Sequence, residues 1–155
     1  PSGIAAVVAQ QFEVGADILA HGLMPIIEPE VNIKAADKAA CEDILKTELL
    51  KHVNALPEGQ EVMLKLTLPE TAGLYSELIA HPKVLRVVAL SGGYSLEESC
   101  QRLSKNNGMI ASFSRALSND LRADQSDDAF NSTLGSVIDK IYNASLNEAK
   151  KTQAA

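Results

Sequence analysis

The chain has 155 residues, 46% of them hydrophobic, which suits one domain with a sizeable core and excludes a disordered tract, a collagen or a coiled-coil array. Acidic residues outnumber basic ones 20 to 14, for a net charge of −6, and no Lys/Arg stripe runs along the chain, so nucleic acid is not the expected partner. Uncharged apolar runs such as that flanking Arg86 at 84–90 are far too short to span a bilayer, so no membrane partner is expected either.

Residues 4–20 place apolar side chains at helical spacing and read as a helix. GLMPIIEPEV (22–31) follows, a short apolar run readable as a buried strand that carries its charge at the C-terminal end. Residues 34–55 are Ala/Leu/Lys/Glu-rich and predict a helix ended by Leu56-Pro57-Glu58-Gly59. A strand is expected at 61–69, a helix at 71–80, a strand at 83–90, a helix at 96–105 and a strand at 108–114. A short helix over SRALSNDL (114–121) and a longer one at 126–148 complete the series, and the tail KKTQAA is expected to fray.

Near-continuous apolar strands separated by single helices mark an α/β protein with a parallel sheet. Two architectures fit: a small open doubly wound sheet, or a contiguous part of a (β/α)8 barrel. Length favours the open sheet, because a whole barrel needs about 200 residues or more. An open sheet, however, would not naturally begin with a helix and lack a phosphate-binding glycine fingerprint after its first strand.

Lys65 stands in the middle of VMLKLTLP, where alternation puts Met63, Lys65 and Thr67 on one face and Leu64, Leu66 and Leu68 on the other. Enclosure of that face would disfavour the ammonium form and leave an amine able to form a Schiff base with a carbonyl. From pattern alone an edge-strand lysine reaching water is the commoner case. Glu28 and Glu30 share a face with Ile26 on the preceding strand, so parallel neighbours would bring both carboxylates beside the lysine. The pair suits general acid/base work, and equally a structural carboxylate pair satisfied by a lysine.

Ser91-Gly92-Gly93 follows the third strand directly, and Ser114-Arg115 closes the fourth. Glycines at a strand end let backbone approach a ligand, and an arginine opening a helix adds charge to free N–H groups, so together they make a phosphate cradle. Taken singly, Gly-Gly is also an ordinary turn and a lone arginine an ordinary surface residue. All four strands carry their polar groups toward one C-terminal edge, which is where barrels place active sites. His21, His52 and His81 fall at helix ends and read as caps. Tyr75 and Tyr94 read as packing or surface residues, with Tyr94 near enough to the glycines to line a site. Cys41 and Cys100 have no metal-site spacing and read as reduced cytosolic thiols. Pro1 is no natural start and the opening residues lack the features of a signal peptide, so the chain is expected to be part of something longer.

GLMPIIEPEV, VMLKLTLP, RVVALSGGYS and GMIASFSRAL, in that order and spacing, resemble the class I (Schiff-base) fructose-bisphosphate aldolases, specifically their bacterial branch. The resemblance spans essentially the whole of 1–155. It implies a single segment, the C-terminal half of a (β/α)8 TIM barrel of about four β/α units, with the N-terminal half absent. It further implies that Lys65 is the Schiff-base lysine, Glu28 the acid/base glutamate and Glu30 its supporting carboxylate. Leu90, Ser91 and Gly92, with Ser114 and Arg115, would hold a substrate phosphate.

The implied reaction is reversible cleavage of fructose 1,6-bisphosphate to dihydroxyacetone phosphate and glyceraldehyde 3-phosphate, in the cytoplasm, with an imine on Lys65 and no metal or other cofactor. Its implied partners are the phosphorylated sugar, the missing half-barrel and a second copy in a homo-oligomer. Another Schiff-base barrel aldolase, of transaldolase or deoxyribose-phosphate aldolase type, would keep the lysine and change the substrate. A non-catalytic phosphosugar-binding half-barrel would keep only the phosphate edge. Ser114 stands where many animal members of the family have glycine, and the aspartate and two lysines that the family draws from its first half are absent here. Such a half-barrel exposes two strand edges and an open apolar interior, so in isolation it is expected to aggregate and to be inactive.

Overall fold

A computed structural model describes residues 2–146; the expected frayed tail, with the last two residues of the expected terminal helix, lies outside them. In chain order the elements are α1 (Ser2–Ala20), β1 (Ile26–Ile27), α2 (Lys38–Ala55), β2 (Val62–Thr67), α3 (Ser76–Ile79), β3 (Val84–Leu90), α4 (Leu96–Leu103), β4 (Ile110–Ala111), α5 (Arg115–Ser118) and α6 (Asp127–Ser145). The four strands form one parallel sheet in the order β1-β2-β3-β4. A doubly wound sheet reverses its strand order at a switch point. This one runs in chain sequence, as a barrel segment does, and the fold is an α/β half-barrel.

Local chemistry sets the element ends. α1 stops at a Schellman turn, in which Gly22 takes φ +73°, its N–H donates to Leu19 O at 2.9 Å, and Leu23 N–H donates to Ile18 O at 3.2 Å. By length and composition alone α1 could cross a membrane, which the sequence reading did not anticipate. It carries Glu13 and Asp17, however, and buries Val8, Phe12 and Gly15 inside the fold. α4 and α6 open on serine caps: Ser95 Oγ accepts from Glu98 N–H at 3.2 Å, and Ser126 Oγ from Ala129 N–H at 3.3 Å.

Several expected elements are shorter than the sequence predicts, among them the strand expected at 108–114, which keeps only Ile110 and Ala111, and the helix expected at 114–121, which keeps 115–118. Pro25 and Pro29 flank β1 and have no N–H to donate, so within 22–31 only Ile26 and Ile27 pair as a strand. The helix expected from 34 starts at Lys38, because Asn32 Oδ1 takes Lys34 N–H at 2.9 Å and turns the chain. The helix expected at 71–80 keeps only 76–79, since Gly73 sits at φ +77° and gives its N–H to Asn106 Oδ1 at 2.9 Å.

The two faces of the sheet differ. Ile27, Val62, Leu64, Leu66, Val87 and Ala89 point to the helix side and are buried in the core with Leu45, Leu49 and Val53 of α2. The opposite face is open in part: Ile26 is 52% exposed and Leu85 51%, and Ile110 is also exposed, whereas Thr67, Val88 and Leu90 toward its C-terminal edge are buried. A register shift between Val62 and Met63 leaves Leu85 without a paired partner on β2, so Met63 aligns with Arg86 and Lys65 with Val88.

Candidate active site

β2 is an inner strand, paired on both sides, so Lys65 is not the edge lysine that its sequence pattern also allowed. Its side chain stands on the open face and is 25% exposed. Ile27 aligns with Leu64, so the next residue, Glu28, comes abreast of Lys65, and Lys65 Nζ lies 2.7 Å from Glu28 Oε1. Lys65 is therefore neither a surface lysine seeking water nor a fully enclosed amine. It is a half-sheltered ammonium on a carboxylate, close enough for direct proton transfer.

The carboxylate segment is tied down on both sides. Gln11 of α1 donates from Nε2 to Glu28 O at 3.2 Å. Beyond Glu30, Val31 N–H donates to Thr67 Oγ1 at 3.0 Å, and that hydroxyl donates to Val31 O at 3.0 Å. Glu28, Glu30 and Lys65 share a cavity of about 140 Å3 with Leu90, Ser91, Gly92, Ser114 and Arg115. Every side chain singled out from the sequence as a site residue thus meets at one sheet edge. The volume is below the ~300 Å3 of an ordinary small-molecule pocket because no strand faces this side of the sheet among the described residues.

The glycine turn and the arginine approach each other. Gly92 takes φ +62° and Gly93 φ +109°, and a Cβ at Gly93 would lie 3.9 Å from an Arg115 guanidinium nitrogen. Ser91 is buried, and its carbonyl accepts from Tyr94 N–H at 3.0 Å, which closes the turn. Arg115 pairs with no carboxylate among the described residues, which leaves its charge for an anion.

The structure adds Ser112 to the wall, a residue the sequence reading passed over. The signal was present: counting by twos from Ile110 puts Ser112 and Ser114 on one face. Its N–H donates to Ala89 O at 2.8 Å and carries the β3–β4 pairing one residue past β4. A larger cavity, about 480 Å3, follows β4 and α6 and is lined mostly by apolar side chains such as Phe113, Ile138 and Ile141. It lies on an edge strand of the sheet and holds none of the titratable residues of the site.

A second charged cluster was not foreseen. Lys38 is 5% exposed and Glu42 fully buried, 2.5 Å apart; Lys38 Nζ also donates to Leu68 O at 2.9 Å, and Glu42 Oε2 accepts from Glu70 N–H at 2.9 Å. These bonds fasten the start of α2 to the chain leaving β2.

The remaining candidates lie elsewhere. Tyr94 does not line the cavity; its ring carries the Arg102 guanidinium 4.3 Å above the centroid, and burial pushes its phenol above the usual range. His21 Nδ1 lies 2.8 Å from Asp17 O, a carbonyl in the last turn of α1, as a cap does. His52 stacks on Phe12, and His81 accepts from Lys83 N–H at Nδ1, so its Nε2 carries the proton and donates to Asn54 Oδ1 at 3.1 Å. Both cysteines are free, and burial pushes both thiols above their usual range, which disfavours the thiolate. Among the described residues, no group of three or more His, Cys, Asp or Glu side chains could hold a metal ion.

No protein-family model matches the chain. Over 146 residues, 94% of its length, it is 60% identical to a curated protein of Synechocystis sp. named fructose-bisphosphate aldolase class 1, and it spans about half (49%) of that relative's length.

Proposed function

We propose, on the premise that this chain is the C-terminal half of a class 1 fructose-bisphosphate aldolase barrel, that Lys65 is the amine that carries the substrate as an imine in reversible cleavage of fructose 1,6-bisphosphate. The observation that carries this reading is the 2.7 Å contact between Lys65 Nζ and Glu28 Oε1, inside a cavity that also holds Arg115 and the Gly92 turn. A lysine alone is a surface charge. A lysine with a proton acceptor in contact and an anion site on the next strands is equipped for carbonyl chemistry on a phosphorylated sugar.

Glu28 takes a proton from the ammonium, and the free amine adds to the ketone carbon. Glu28 returns a proton to the carbinolamine hydroxyl, which leaves as water, and the nitrogen lone pair forms the iminium double bond. The bond between C3 and C4 then breaks: its electron pair moves toward the iminium to give an enamine, and the C4 hydroxyl gives its proton to the Glu28 carboxylate as glyceraldehyde 3-phosphate departs. Glu28 hands that proton to the enamine at carbon, and water hydrolyses the new iminium to dihydroxyacetone phosphate and free Lys65. The protonated imine withdraws electrons as a divalent cation would, so this chemistry calls on no metal.

Glu30, exposed at the mouth of the cavity, supports Glu28 by setting the local charge. Ser91, Gly92, Ser114 and Arg115 bind the phosphate, Arg115 by charge and the glycine turn by admitting it close to backbone, while Leu90 lines the floor. The reading places the protein in cytoplasmic sugar-phosphate metabolism, with the missing half-barrel closing the open face of the sheet.

The test is trapping. Dihydroxyacetone phosphate and borohydride are added to the polypeptide that carries this chain; hydride adds to the imine carbon and leaves a stable secondary amine, read by intact mass and peptide mapping. The adduct is expected on Lys65 and absent from Lys65→Arg. An adduct on another lysine, or none on a chain of full barrel length, overturns the assignment.

A further inference from the structure

The two carboxylates sit on a stretch of backbone with little secondary structure to hold it. β1 pairs through Ile26 and Ile27 only, Pro29 separates Glu28 from Glu30 and has no N–H, and regular structure resumes only at Lys38. A carboxylate that must meet an amine to within a few tenths of an ångström cannot depend on a free loop, because a misplacement of about 1 Å can cost about a hundredfold in rate.

Gln11 holds the near end of the segment at Glu28 O, and the fixed point at its far end is Thr67. It is the last residue of β2, two residues beyond Lys65 on the same strand face, and is buried at 1% exposure. Its hydroxyl makes both bonds to one residue, accepting from Val31 N–H at 3.0 Å and donating to Val31 O at 3.0 Å. One side chain thereby replaces the pair of ladder bonds that a longer β1 would have formed with β2. Its methyl faces the other way: Cγ2 lies 3.6 Å from the point where a Cβ on Gly92 would stand. Thr67 therefore bonds the carboxylate segment through its oxygen and turns its methyl toward the side of Gly92 where a Cβ would stand, while its own strand carries the lysine.

We propose that Thr67 is a positioning residue for the imine chemistry: through the backbone of Val31 its hydroxyl sets the height of Glu28-Pro29-Glu30 against Lys65. The proposal rests on the aldolase reading above. It assigns separate tasks to the two halves of the side chain, so the hydroxyl and the methyl are separable by substitution. Thr67→Val keeps the shape and leaves Val31 N–H and C=O without their partner; Thr67→Ser keeps both bonds and loses only the methyl.

The experiment measures the initial rate of borohydride trapping by dihydroxyacetone phosphate across pH 5–9, on the full-length polypeptide and normalised to folded protein. For Thr67→Val the rate is expected to fall tenfold or more at neutral pH, with the pH profile displaced because Glu28 no longer holds its contact with Lys65. Thr67→Ser is expected to restore both rate and profile. Thr67→Cys, whose thiol is a poor partner at both bonds, is expected to fall between them and provides the reading if Thr67→Val does not fold.

A purely structural role would lower stability while leaving the normalised rate and the pH profile of Thr67→Val or Thr67→Cys at wild-type values, and that result overturns the proposal. So does a Thr67→Ser variant as slow as Thr67→Val. Wild-type protein that forms no adduct on Lys65 overturns the aldolase reading and this proposal together, a result distinct from either of the others.

Discussion

Gly92→Ala tests whether the glycine turn is held in place by the loop that follows the carboxylates. Gly92 lies at φ +62°, a conformation that costs an L-residue about 1–2 kcal/mol. The added Cβ would stand 2.7 Å from Ile33 Cγ2, with Leu90 Cδ1 at 3.5 Å and Thr67 Cγ2 at 3.6 Å. Ile33 is β-branched and stiff at χ1, so it cannot swing clear freely, and overpacking of this kind costs about 1–3 kcal/mol. The two terms sum to about 2–5 kcal/mol.

Urea unfolding of the full-length polypeptide separates them by a double-mutant cycle with Ile33→Ala. In that background only the backbone cost should remain, about 1–2 kcal/mol, so the cycle should give a coupling of about 1–3 kcal/mol. Equal losses in both backgrounds would refute the contact with Ile33. A loss below about 1 kcal/mol in the wild-type background would refute the left-handed turn as well.

Other substitutions test other parts. Arg115→Met should raise the KM for dihydroxyacetone phosphate in the trapping assay about tenfold or more, the worth of one charge-assisted hydrogen bond, with Arg115→Lys between it and wild type; an unchanged KM would remove Arg115 from the phosphate site. Lys38→Met should cost about 3–5 kcal/mol in urea unfolding, because it strands the buried Glu42 carboxylate, and Glu42→Gln in the same chain should recover part of that; a loss under 1 kcal/mol would mean that the pair is solvated. Tyr75→Phe should leave stability at neutral pH within about 1 kcal/mol of wild type, since the Tyr75 hydroxyl is buried with no hydrogen-bond partner among the described residues. Burial, then Glu42 and Asp43, raise that phenol far above its usual value of 10.0, so the folded state holds a proton that the unfolded chain releases. Stability is therefore flat in this group below about pH 10 and falls as pH rises past it, and an alkaline unfolding limb identical in Tyr75→Phe would contradict the assignment.

The parallel sheet and the gathering of the polar strand-end residues at one edge were legible because they follow from periodicity. Alternation in VMLKLTLP separates Lys65 from the leucines, and the polar residues at the strand ends mark the edge where they gather. The choice between an open sheet and a barrel segment was not legible from period, since both use the same βα unit; the strand order and the exposed face around Ile26 decide it. Element ends were misjudged where a side chain outside the periodic run intervened, as Asn32 does before α2 and Asn106 does beside Gly73. Lys38 and Glu42 have the i, i+4 spacing of an ordinary surface pair, and only the packing of α2 against the end of β2 reveals that both are buried. The two hydrogen bonds between Thr67 Oγ1 and the Val31 backbone join residues 36 apart and leave no trace in either local pattern.

The strand order described above also bears on how quickly the sheet can assemble. Each strand pairs with the next one along the chain, so each pairing closes a loop of one helical connection and none spans the whole chain, and closure entropy grows only slowly with loop length. β2 and β3 share the longest register, with Leu64, Leu66, Val87 and Ala89 already excluding water between them, and are therefore the pair on which a folding nucleus would condense. The short outer strands β1 and β4 would then join a formed template, and the contact between Glu28 and Lys65 would arrive late in the sequence of events.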